Sequence, residues 1–478
     1  HLDELRSELA PWDLEKAISK PSQPHRFSTA RGPLWLIKIG AEDQQNEKTL
    51  QHHGLLAASN YSRGRDLAGV ISASIGKANY CRLSLHFVDW DEELALGLLV
   101  GIDLAAYRFQ KILKGEWPQK LKYQLVREGG RVPSGLEKRA KHLAIATNLS
   151  RHLVNLPANW LNPKTYAEAI QRLLEPLEAF KVDFWDHSRI TKEGIGFLDA
   201  VGKGAEFPPC LLHLSYRPKK SKIGKAPVAF VGKGITFDSG GLDIKPSRGM
   251  RLMKKDMGGS ATLVGLAWWL GQAEMQVNCD FYFPLAENAI SGASFRPGDI
   301  YYGRDGRAVE IHNTDAEGRL ILADALDLAV NPLSKEKPFV LIDVATLTGA
   351  IKAALGSDIA GLFSNSDSLA EGILKASQEA GDLCWRMPLY QAYKTQLSSP
   401  VAECTNSVDG FGGAVTAALF LESYVGETRW AHLDIFSWKN KPEGAFMETG
   451  GSGQMVQTLA RWLENLESGR IEVKAVSN

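Results

Sequence analysis

Pro227-Val-Ala-Phe-Val-Gly-Lys-Gly-Ile-Thr-Phe-Asp-Ser-Gly-Gly241 opens on an apolar run and ends in glycines around a lysine and an aspartate. An unbroken apolar run of this length fits a strand buried on both faces, and the glycines mark a tight turn at its end. No GxxxxGK[ST] stands here, so the turn is not a phosphate-binding P-loop. Similar runs recur at 279–284, 339–345 and 430–436. Helical patterns alternate with them at 258–271, 318–330, 368–380 and 414–425. Buried strands alternating with helices predict a doubly wound α/β sheet, in which ligands collect beyond the carboxyl ends of the strands.

Upstream the character changes. Residues 1–133 mix strand-like runs (34–39, 82–87) with a helical stretch at 92–114 and concentrate no chemistry. A helix is predicted over 135–156, with Ser134 and Glu137 spaced as a capping box. The expectation is therefore an α/β chain of two domains, each a mixed sheet flanked by helices. Residues 1–133 form the small N-terminal domain, 134–156 the linking helix, and 157–478 the doubly wound domain that carries the active site.

Composition limits the function. The chain has 478 residues, 44% hydrophobic and 23% charged, which is ordinary for a globular protein. Lys plus Arg and Asp plus Glu are each 55, so no global field attracts nucleic acid or an anionic membrane. No apolar stretch is long enough to span a bilayer. Residues 1–6 are polar and hold no signal-peptide core, so a cytoplasmic location is expected, although the missing initial Met leaves a removed leader open. The five cysteines (Cys81, Cys210, Cys279, Cys384, Cys404) form no CxxC pair and read as small buried hydrophobes in a reducing compartment.

The unusual residues fall where the sheet should bind ligands. Lys233 and Asp238 lie on the first segment, with Lys245 just beyond. Asp256 precedes a helix start, where it could cap the helix. In Asn313-Thr-Asp-Ala-Glu-Gly-Arg-Leu320, Asp315 and Glu317 are two apart, which in extended backbone puts both on one face. Side-by-side carboxylates repel unless a cation sits between them, and either Arg319 or a metal ion could be that cation. Asp238, Asp256, Asp315 and Glu317 are hard oxygen ligands suited to a pair of divalent cations. There is no HExxH zinc helix and no GxSxG nucleophile elbow. His312 reads as structural, and His52-His53 and the run Asp89, Asp91, Glu92, Glu93 read as solvated surface. The residues alone lead to a two-metal hydrolase.

These segments resemble the leucyl aminopeptidase family of di-metal exopeptidases, whose signature octapeptide 313–320 matches at every position. The blocks at 232–241, 256–259, 343–349 and 430–434 follow in matching order, and the likeness spans about 155–463. It implies a metal-dependent aminopeptidase that acts on peptides with a free N-terminus. Two divalent ions (Mn2+ or Zn2+, with Co2+ or Mg2+ as further options) would be held by Lys233, Asp238, Asp256, Asp315 and Glu317. As a neutral amine ligand, Lys233 would need a strongly depressed pKa. Lys245 would stabilise the oxyanion, and Arg319 would hold bicarbonate as the proton shuttle for water activated by the two metals. Met253, Asn313, Thr346, Leu347 and Gly349 would line the substrate cleft. The family also implies a homohexamer. Where relatives continue Ile-Ala-Gly after 434, this chain reads Ile435-Phe436-Ser437, which puts Phe436 in the first-residue pocket and predicts a preference altered from leucine. Two other readings compete: another two-metal hydrolase such as a phosphoesterase, and a DNA-binding accessory role through Lys111, Lys114, Lys120, Lys122 and Arg127.

Overall fold

The computed structural model describes residues 25–29, 32–36, 58–75, 82–87, 90–115, 122–127, 130–333 and 336–472. The chain divides into two compact units, one of residues 1–141 with 442–448, the other of 142–441 with 449–478. Cys81, His52, His53, Asp89 and Lys120 lie outside the described residues.

In the first unit, β1 (His25–Thr29) and β2 (Gly32–Leu36) pair antiparallel, while β3 (Arg82–Phe87) and β4 (Lys122–Arg127) pair parallel. Helices Asn60–Ile75 and Glu92–Ala106 pack on each other. The predicted acidic surface has a local purpose. Asp91 caps the second helix by accepting from Leu94 N at 2.8 Å, and Glu92 and Glu93 occupy its first turn, where the helix dipole favours negative charge. Lys111 and Lys114 are exposed, whereas Arg127 stacks on Trp90. The next helix spans Leu136–Asn155. Its first helical residue follows Gly135, so Ser134 stands one residue too early for the predicted capping box.

The second unit is built on one sheet. Its members are β5 (Phe180–Trp185), β6 (Cys210–Tyr216), β7 (Val228–Gly232), β8 (Gly234–Asp238) and β9 (Cys279–Asn288), then β12 (Val340–Ala345), β13 (Ala360–Ser364), β14 (Cys384–Arg386) and β16 (Trp430–Asp434). A small satellite sheet holds β10 (Ile300–Tyr302), β11 (Ala308–Glu310) and β15 (Cys404–Thr405). The main order is β14-β13-β16-β12-β7-β9-β6-β5, with β8 also on β9. β16, β12, β7 and β9 run parallel, and antiparallel pairings at β13/β16 and β6/β9 begin the flanks. The sheet is thus mixed around a parallel centre.

That centre is buried on both faces. Ala229 and Val231 join the cluster formed with helix Gly318–Val330, all of whose residues are buried. On the other face, a Cβ added at Gly232 would lie 2.7 Å from Ser260 Cα, so this glycine lets helix Gly258–Gln272 approach. Helices on both faces explain why the strands are apolar without alternation. Because the central strands are parallel, Gly232, Asn288, Ala345 and Asp434 end at the same edge. The candidate site is there.

Candidate metal centre

The chain passes from β7 to β8 through Lys233, and β8 ends on Asp238, so two short strands replace the single strand and turn expected from sequence. The break turns the Lys233 side chain inward, where it is 2% exposed. Its Nζ pairs with Asp256 Oδ2 at 2.7 Å and Glu317 Oε1 at 2.9 Å, and donates to Thr346 O at 3.0 Å. Burial pulls the Lys233 pKa down, but the charges of Asp256, Glu317 and Asp238 outweigh it and hold the ammonium above the ordinary lysine range. That direction is opposite to the one expected for a neutral amine ligand. Lys245 Nζ pairs with Asp238 Oδ2 at 2.7 Å and with Asp315 Oδ1. The lysines, not Arg319, therefore stand between the carboxylates.

Asp256 does not cap its helix. The N-cap position is Met257, which makes no side-chain cap bond. The Asp256 carboxylate instead turns to Lys233 and accepts from Thr346 Oγ1 at 2.8 Å. Asp315 and Glu317 converge through a turn rather than through the pleat of a strand. Asn313 Oδ1 accepts from Asp315 N at 2.7 Å and fixes that turn. Gly318 completes it, since a Cβ there would lie 2.5 Å from Lys233 Nζ. The glycine makes room for the lysine.

Carboxyl oxygens of Asp238, Asp315 and Glu317 all lie within 4.8 Å of one another. Burial, then the charge of Asp238, pushes Asp315 up to about 6 and Glu317 up to about 8. Among the described residues, both Glu317 oxygens, Asp256 Oδ2 and Asp315 Oδ1 are buried without a partner in hydrogen-bond geometry, although three of the four approach a lysine as ion pairs. Fully ionised, four carboxylates against two ammonium groups would leave two negative charges in excess, which, after burial, is what raises Asp315 and Glu317. Buried, mutually repelling and under-bonded oxygens fit a divalent cation.

Arg319 is 8% exposed and donates from Nη1 to Asn406 O at 2.7 Å, while its Nε is buried with no hydrogen-bond partner among the described residues. Burial lowers its pKa to about 10. Thr346 holds Asp256, and the Leu347 N–H is engaged by Asp434 Oδ1 at 3.0 Å, which leaves only the Leu347 carbonyl of that peptide for the cleft. Gly349 is exposed at the start of helix Gly349–Leu355, and Met253 is half-buried in a 3-10 turn. Phe436 is 8% exposed, with Lys255 Nζ 4.6 Å and Lys352 Nζ 4.2 Å from its ring centroid. His312 is exposed and lies 3.5 Å from Glu310. An open cavity of about 650 Å3 beside Ser364, Asp367 and Arg386 contains none of these residues.

Three residues escaped the sequence reading. Asn288, at the end of β9, donates to Asp238 Oδ1 at 2.9 Å and Thr314 O at 3.0 Å. Fully buried Asn406 accepts from His312 N and Asn313 N, and donates to Asn313 O at 2.7 Å and Ala316 O at 3.3 Å. Asp434 also accepts from Thr348 Oγ1 at 2.6 Å. The acid at the end of the 430–434 run was the one available signal; the asparagines stand in stretches without periodicity.

An α/β domain that gathers such carboxylates where its parallel strands end belongs with the metal-dependent hydrolases. Residues 148–460 match the catalytic domain of the cytosol aminopeptidase family. A probable cytosol aminopeptidase of Acaryochloris marina is 37% identical over 408 residues, 84% of this chain and 81% of that protein. One from Rippkaea orientalis is 34% identical over 469 residues, 96% and 94% of the two chains. Among solved structures, a bottromycin maturation enzyme in complex with Mn superposes with a TM-score of 0.84 at 31% identity, covering 96% of this chain and 97% of its own. The cytosol aminopeptidase of Coxiella burnetii gives 0.81 at 32% identity, covering 97% and 94%. The chain belongs to the cytosol aminopeptidase family and is a metal-dependent exopeptidase.

Proposed function

We propose that the chain removes N-terminal amino acids from peptides with two divalent cations held by Lys233, Asp238, Asp256, Asp315 and Glu317, and with bicarbonate held at Arg319. The observation that carries this is the set of buried, under-bonded oxygens on Asp256, Asp315 and Glu317. When bound, the cations supply a water of lowered pKa and polarise the scissile carbonyl, and bicarbonate supplies a base for the proton. The protein's own groups prepare the rest. Lys233 would be a ligand only as the neutral amine, its proton passing to solvent where bound dications reverse the balance of charge around it. Lys245, paired with Asp238 and Asp315, would offer its ammonium to negative charge developing on the scissile carbonyl oxygen once cations take over those carboxylates. The Arg319 Nε, unpartnered and buried, is oriented by Asn406 toward an anion. Met253, Asn313, Thr346, Gly349 and Phe436 would border the cleft with the Leu347 carbonyl.

Mn2+ is the first candidate, because a similar solved enzyme carries Mn; Zn2+, Co2+ and Mg2+ are the alternatives. A cytoplasmic homohexamer completes the proposal, and no helix among the described residues is long and apolar enough to cross a membrane. Elemental analysis with a panel of fluorogenic aminoacyl substrates tests it. Two equivalents of metal per chain, loss of hydrolysis after chelation and recovery with Mn2+ or Zn2+ are expected. Full activity in metal-free protein would refute the mechanism, and light scattering of a stable active monomer would refute the hexamer.

A further inference from the structure

We infer that the first-residue pocket is built for an acidic side chain, aspartyl or glutamyl, recognised by Lys255 and Lys352, whose ammonium groups both approach the ring of Phe436. The inference rests on the aminopeptidase reading and adds the substrate class. Lys255 is 5% exposed, and Lys352 stands on the exposed side of helix Gly349–Leu355. Both ammonium groups lie within 4.6 Å of the Phe436 ring centroid. Neither has an ion-pair or hydrogen-bond partner among the described residues.

A buried ammonium group is normally paired. Contact with an aromatic face returns too little to offset its removal from water. Two acids act on Lys255, and both are engaged elsewhere: Asp256 by Lys233 at 2.7 Å and Thr346 at 2.8 Å, and Asp434 by Leu347 N at 3.0 Å and Thr348 Oγ1 at 2.6 Å. Lys255 therefore lacks a counter-charge of its own, and Lys352 adds a second positive charge at the same ring.

The place of this pair in the fold ties it to the cleft. Lys255 shares a short turn with Met253 and leads into Asp256. Lys352 lies one turn into the helix that starts at Gly349. Phe436 follows β16, where Ile435 N donates to Ala345 O at 2.8 Å, next to Thr346. The first segment carries Asp256, and Thr346, just before the helix, bonds both Asp256 and Lys233. A leucyl side chain placed against Lys255 and Lys352 would strip water from two ammonium groups and return nothing. A carboxylate would accept charge-assisted hydrogen bonds from both. Phe436 supplies an apolar wall that shortens the pocket, and the charge of Lys439 is occupied by Asp358 at 2.6 Å.

The test measures kcat/KM of the full-length, metal-loaded protein on glutamyl, aspartyl, leucyl and methionyl anilides. At least about a tenfold preference for an acidic first residue is expected in the natural sequence, the scale of discrimination that buried polar contacts give. Lys352→Met and Lys255→Met should each lower the acidic-to-leucyl ratio by tenfold or more, and Lys352→Glu should move preference toward lysyl and arginyl substrates. Calorimetric titration of free glutamate and leucine gives a second readout, with glutamate expected to bind more tightly and to lose that advantage in Lys352→Met. Should Lys255→Met not fold, the exposed Lys352 variants decide the matter alone. A leucyl preference in the natural sequence, with a ratio unmoved by the Lys352 substitutions, overturns the inference while leaving the aminopeptidase intact. Absence of cleavage on every substrate overturns both.

Discussion

Arg319 and Gly318 adjoin in the chain but have opposite tasks. Arg319 touches no carboxylate within ion-pair distance among the described residues, and its guanidinium is aimed by Asn406 O. If its task is to hold an anion, Arg319→Ala keeps both metals while kcat falls by about 10²–10³, the size of one lost acid–base or electrostatic element. Metal analysis beside steady-state kinetics checks this, and a loss of metal would assign Arg319 to the ligand framework instead. Gly318 is a matter of space. Alanine is the better helix former by about 1 kcal/mol, so Gly318→Ala should help the isolated helix. Its Cβ would nevertheless overlap Lys233, whose Nζ lies 2.5 Å from that point. The expected result is a folded protein with reduced metal content and activity. Full metal occupancy in this variant would show that Lys233 is free to move aside.

At the scale of elements, one asparagine holds the turn at 312–316 to the satellite sheet. Asn406 sits just after β15 and joins residues 312–316 and Arg319 to that strand's end through both its side chain and its carbonyl. Asn406→Ala would leave several buried backbone groups unpaired, each costing about 1–3 kcal/mol. A clear fall in Tm with loss of activity is expected by calorimetry, and an unchanged Tm would mean that the turn is held by its own contacts. The sequence could not show this clamp, because it links residues about ninety positions apart across a stretch with no periodic pattern. By contrast, β7, β12 and β16 and the helices Gly258–Gln272 and Gly318–Val330 were legible to within two residues. Strands covered on both faces are written as continuous apolar runs, and buried helices of this length keep their pattern. The flanking strands were not. Phe180–Trp185 carries Lys181 and Asp183 in its middle, and Cys384–Arg386 has three residues, too few for any period. The carboxylates and lysines that the fold gathers were legible as residue types and order. Their pairing was not, since sequence cannot show which lysine faces which carboxylate.

For the whole molecule, the same cluster makes stability depend on pH and metal together. Asp315 and Glu317 are raised from their ordinary 3.8 and 4.5 to about 6 and about 8 by burial and by the neighbouring Asp238. A carboxyl group with a raised folded-state pKa contributes stability that is complete below its unfolded pKa and is lost as pH rises through the folded value. In metal-free protein that window runs from about pH 4 to about pH 8 for this pair. Lys233 and Lys245 stay charged across it, so they do not cancel the trend. Chelated protein should therefore show a Tm several degrees lower at pH 8 than at pH 5. Saturating Mn2+ or Zn2+ should reverse the order, because cations bind the ionised carboxylates and stabilise the folded state by mass action. Scanning calorimetry across this range, with and without metal, separates the site from other titrating groups, which respond equally in both series. Parallel pH curves with and without metal would mean that Asp315 and Glu317 do not hold the cations.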